Sequence, residues 1–143
     1  MPNGRGGLLV DLFGGIHRFR VGSSLLPPKP IGAPYWSGQD RARGIAILPD
    51  GSGGLIVDRD GALHAFSLRT GSSPIAPTGV WGAPIGQEAQ GVALLSSGRG
   101  GYTLDGFGGL HRFTVTSKSP TFGGNTTWPG WNIARDVAVL PAS

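Results

Sequence analysis

The chain has 143 residues, of which only 14% are charged and 38% hydrophobic, with 27 glycines, 12 prolines and no cysteine. That composition excludes long helices, whose interiors glycine and proline weaken, and leaves no material for disulfides or thiolate metal sites. The net charge of +4 comes from ten arginines and two lysines against eight acids. Its arginines are scattered singly, so the basic pI carries no nucleic-acid stripe, and nucleic acid is not an expected partner.

In chain order, the first segment, Met1 to Gly7, has no apolar core and does not read as a signal peptide. No apolar run approaches membrane-spanning length, so no membrane partner is expected. The sequence then reads GRGGLLVDLFGGIHRF from Gly4 to Phe19. The same phrase returns as GSGGLIVDRDGALHAF from Gly51 to Phe66 and as GRGGYTLDGFGGLHRF from Gly98 to Phe113. Asp11, Asp58 and Asp105 are spaced 47 apart, and so are His17, His64 and His111, and Phe19, Phe66 and Phe113. A second phrase recurs as RARGIAILPD (Arg41 to Asp50), EAQGVALLSS (Glu88 to Ser97) and IARDVAVLPA (Ile133 to Ala142). Between the phrases lies a variable Pro/Gly stretch that carries the aromatics. The chain is therefore one domain, residues 1–143, of three repeats at about 4–50, 51–97 and 98–143.

Each unit reads as β throughout. GIAIL, GVALL and DVAVL are short β-branched runs, followed by a Pro-Asp-Gly or Ser-Ser-Gly turn and then a hairpin. With Asp60-Gly61 as a two-residue hairpin loop, Asp58 faces Leu63 and Val57 faces His64. Alternation then places Leu55, Val57, His64 and Phe66 on one face, with Asp58 on the other, so the Asp and His of a unit do not meet. A fourth strand is expected in the variable segment, around Ile31 to Trp36.

Four antiparallel strands per unit of this length make an all-β fold that resembles β-propeller blades, with Gly44 to Phe66 similar to the NHL type and to the glycine-rich tandem repeats of secreted bacterial proteins. The resemblance implies an extracellular protein. The alternative with three units is a β-trefoil or β-prism. Under the propeller expectation, the final strand completes the unit opened by the first, within one chain or between two. The latter gives a homodimer in which each chain is half of a six-bladed ring.

No catalytic constellation, metal site or cofactor motif is expected. The serines lie in loops outside any nucleophile elbow, and the metal-binding acids of a propeller hydrolase have no counterpart, so the chain is read as a non-enzyme. The Asp of each unit is expected to accept backbone N–H groups of its own turn. Convergence of His17, His64 and His111 on a three-fold axis would suit zinc and is the competing role for the histidines. The candidate ligand-binding residues are Tyr35, Trp36, Trp81, Trp128 and Trp131, whose rings suit stacking on carbohydrate or anchoring of a protein partner. The function expected is recognition of glycan or protein, the alternative a structural unit that forms a homo-oligomer through strands shared between chains.

Overall fold

A computed structural model describes residues 4–141. Met1 to Asn3, which open the segment judged for a signal peptide, and Ala142 and Ser143, which end the third repeat, lie outside the described residues. Among the described residues eight strands form: β1 Gly6–Val10, β2 Ile16–Arg20, β3 Ala42–Ile47, β4 Gly53–Asp58, β5 Leu63–Ser67, β6 Ala89–Leu94, β7 Gly100–Asp105 and β8 Leu110–Thr114. They make three separate antiparallel sheets, β1-β2, β3-β4-β5 and β6-β7-β8. Among the described residues no helix is long and apolar enough to cross a membrane.

The repeat is legible in every local feature. β3 and β6 each carry a bulge, between Ala42 and Gly44 and between Ala89 and Gly91, and pair with β4 and β7 in the same register. The turn after β3 closes through Gly51 N–H to Leu48 O at 2.8 Å, and its counterpart through Gly98 N–H to Leu95 O at 2.8 Å. The hairpin phenylalanines lie flat across glycines of the facing strand. A Cβ on Gly54 would come within 2.6 Å of the Phe66 ring, and one on Gly101 within 2.5 Å of Phe113. The aromatic cover and the neighbouring carbonyls, Ala46 O at Gly54 and Ala93 O at Gly101, together require glycine there.

The architecture corrects the expectation of propeller blades. The sheets have two or three strands, not four, and neither curl nor close into a propeller ring, trefoil or prism. The fourth strand expected around Ile31 to Trp36 is reduced to one bridge, Ile31 to Ser67, mirrored by Thr78 to Thr114 in the next unit. Pro27, Pro28, Pro30 and Pro34 crowd that connector, and residues without an N–H cannot sustain a ladder. The strand expected at DVAVL in the third unit is also absent, since Ile133 to Leu140 run without a sheet partner. The six-bladed ring therefore has no basis in the observed fold.

The sheets stack face to face in chain order. The first core lies between sheets one and two and gathers Leu8, Val10 and Ile16 against Ile56, Phe66 and Ile45, with Trp36 of the intervening connector. The second lies between sheets two and three and gathers Leu55, Val57, Leu63 and Ala65 against Val92 and Phe113, with Trp81. Burial of each sheet's apolar face by the next supplies the driving force, since a lone hairpin is marginal in water.

Candidate functional site

The hairpin loop is where the expected register fails. Gly61 N–H donates to Asp58 O at 3.0 Å and Asp58 N–H to Ala62 O at 3.0 Å, so the loop is the three residues Arg59, Asp60 and Gly61. A two-residue type I′ turn needs a positive φ at both central residues, and no described non-glycine residue has one. Gly14, Gly61 and Gly108 have φ of 88°, 87° and 86°, the left-handed position that closes a type I turn with a bulge. The extra loop residue shifts the pairing by one: Val57 faces Leu63 and Ile56 faces His64. Every side chain of the returning strand changes face, and Asp and His now lie together.

Three identical Asp–His pairs result. His17, His64 and His111 each place Nε2 beside Oδ2 of Asp11, Asp58 and Asp105, at 2.7, 2.9 and 2.8 Å. The other oxygen, Oδ1, accepts two loop N–H groups in each copy, from Asp60 and Ala62 in the second. The aspartate is thus the clasp of its hairpin. Asp58 also takes Arg41 at 3.2 Å, which Asp60 shares at 2.7 Å. Burial pushes the Asp58 carboxyl up, but bonds from His64, Arg41 and the Ala62 N–H outweigh it and hold the group below its ordinary value. His17 and the loop N–H groups likewise hold Asp11 low, against a smaller desolvation effect. The histidines do not converge on an axis, because each is tied to its own hairpin, and no metal-holding cluster of His, Cys, Asp or Glu forms among the described residues.

The tryptophans link consecutive units. The Trp36 backbone N–H donates to Phe13 O at 2.7 Å, the ring rests on Gly14, and it meets His64 of the next sheet edge to face, with ring centres 5.0 Å apart. Trp81 rests on Gly61 and stacks on His111 at 3.9 Å. Trp128 rests on Gly108 with its backbone N–H on Phe107 O at 2.7 Å, the same arrangement, and is partly exposed. Among the described residues no fourth histidine lies in front of it. Tyr35 and Trp131 are exposed. Of the five aromatics singled out in the sequence, Trp36 and Trp81 join neighbouring sheets, while Tyr35, Trp128 and Trp131 present surface.

What the sequence reasoning missed is the asymmetry between the first unit and its copies. β4 and β7 are central strands, covered by β3 and β6, whereas the equivalent β1 is an edge. Leu9 is 54% exposed where its counterparts Ile56 and Thr103 are 0% and 1%. Phe19 is half-exposed where Phe66 and Phe113 are buried, and His17 is the most open of the histidines. Leu9, Asp11, His17 and Phe19 therefore form an uncovered sheet face beside an open edge. At the other end of the stack, Ala134 to Leu140 carry the repeat phrase of β3 and β6 but join no sheet, with Ile133 and Leu140 exposed. Beside them Leu104, Leu110, Trp128 and Val137 line a shallow depression on sheet three. The repeat alignment combined with the three-residue loop would have pointed to this face; the two-residue loop hid it. The chain matches no family model, no curated protein and no solved structure.

Proposed function

We propose that the chain is a non-enzymatic protein-binding module that works by association, taking a strand from another polypeptide on the open edge of β1 and covering the outer face of the first sheet. The all-β fold, with no metal-holding cluster among the described residues, fits a structural or binding role in general. Strand addition at β1 is carried by the contrast at one repeat position, Leu9 exposed against Ile56 and Thr103 buried. Two of three equivalent hairpins are built with a third strand and a covering sheet, and among the described residues the first has neither. An open edge flanked by exposed apolar side chains is a template for strand addition. Carbohydrate stacking on a three-fold set of tryptophans is not favoured, because Trp36 and Trp81 face histidines of the next sheet.

The probe is a labelled peptide of the repeat strand, Arg41 to Leu48, titrated against the intact chain by fluorescence anisotropy. The anisotropy should rise and saturate, and Leu9→Asp should weaken binding at least tenfold. No binding by the unmodified chain, or binding indifferent to Leu9→Asp, would refute the proposal.

A further inference from the structure

We infer that the occupant of the β1 edge is the Ala134–Leu140 segment of a second copy, so that chains join head to tail. This rests on the association reading and names its partner. Such a contact continues an interface the chain already makes twice within itself. In the middle sheet, Ala42 pairs with Asp58, Gly44 with Val57, Ile45 with Ile56, Ala46 with Leu55 and Ile47 with Gly54. In the third sheet, Ala89, Gly91, Val92, Ala93 and Leu94 pair with Asp105, Leu104, Thr103, Tyr102 and Gly101. The repeat carries this ladder to Ala134, Asp136, Val137, Ala138 and Val139, and the matching places are Asp11, Val10, Leu9, Leu8 and Gly7, which among the described residues face no strand of their sheet other than β2.

The register is thus set residue by residue: Val137 of one copy lies opposite Leu9 of the next. Ile45 and Val92 at that position are half-buried and buried, and Val137 is already half-buried against the third sheet. The same step lays sheet one of the second copy on sheet three of the first. Leu9 and Phe19 then cover the depression formed by Leu104, Leu110 and Trp128. His17 arrives in front of Trp128, as His64 does for Trp36 and His111 for Trp81. The surfaces are different on the two copies, so the contact is heterologous and the assembly extends unless its rotation closes.

The absence of cysteine makes a disulfide test clean. Leu9→Cys and Val137→Cys single variants are mixed in equal amounts and oxidised. The expected product is a disulfide-linked pair of chains, because directly opposed residues share a face at bridging distance. A mixture of Leu9→Cys with Ala138→Cys should give at least tenfold less, since the neighbouring side chain points to the opposite face. In parallel, sedimentation of the unmodified chain should show a mass rising with concentration from 14.7 kDa, and Leu9→Asp should shift that rise at least tenfold upward in concentration. A single-chain mass at every concentration overturns the second copy as partner, and if the Arg41–Leu48 peptide still binds, the association reading stands. A rising mass with no preference for Val137→Cys over Ala138→Cys overturns the register. If neither peptide nor second copy binds, both readings fall together.

Discussion

The three Asp–His hairpins offer one motif in three environments, and so an internal test of what the clasp contributes. The side chain of Asp58 is 2% exposed, that of Asp105 6% and that of Asp11 35%. Replacing Asp58 by Ala removes the acceptor of the Asp60 and Ala62 N–H groups, of His64 and of one Arg41 bond. Breaking a buried charge pair costs about 3–5 kcal/mol. The lower end applies, since Arg41 keeps Asp60 and His64 reaches solvent, so we expect a loss of about 3 kcal/mol. For a domain of this size that lowers Tm by about 10 °C. Asp105→Ala frees the Phe107 and Gly109 N–H groups and His111 but no arginine, and should cost about 2 kcal/mol. Asp11→Ala should be the mildest, because water reaches the groups it vacates. Urea and thermal unfolding, followed by tryptophan fluorescence and circular dichroism on dilute protein, give the ranking. If Asp11→Ala destabilises as much as Asp58→Ala in that regime, burial of the clasp is not what gives it weight, and the reasoning fails. At concentrations where copies join, the gap between the two variants should narrow.

The carboxyls also set an acid limit. Asp58 and Asp11 are both held below 3.8 in the folded chain, so their stabilisation is fully present above the unfolded value and is lost as pH falls through the folded ones. The urea midpoint should stay level from neutral pH to about pH 5 and drop below about pH 4, and Asp58→Asn should flatten part of that drop; an unchanged acid limb in the variant would contradict the assignment. Phe66→Ala and Phe113→Ala should each cost about 3–5 kcal/mol, as buried rings whose loss opens a cavity, against about 1 kcal/mol for the half-exposed Phe19→Ala. Equal costs across the three phenylalanines, measured by urea unfolding of dilute protein, would contradict the uncovered first sheet.

By itself the sequence determined the repeat, its units and most of its strands. Gly-Gly before an apolar run, Asp before a glycine turn and Phe at the close are local demands, satisfied by the same residues in each copy. The aspartate clasp was legible for that reason, since both its N–H donors lie within four residues. Tertiary structure decided the rest. Whether Asp60-Gly61 made a two- or three-residue loop turned on the φ of a single non-glycine residue, and that one step moved His64 onto the face of Asp58 and Trp36 onto His64. Whether a connector became a strand depended on its prolines, and whether DVAVL became one depended on a neighbour to pair with, which its own sequence does not provide. A ladder needs a neighbouring strand to take its N–H and C=O groups, so the same phrase is a strand at Ala42 and Ala89 but lies outside any sheet after Ala134, whose N–H goes to Gly106 O. The exposed face of Leu9 and Phe19 arises from the same cause: burial belongs to the stack of sheets, and the first hairpin stands at its end.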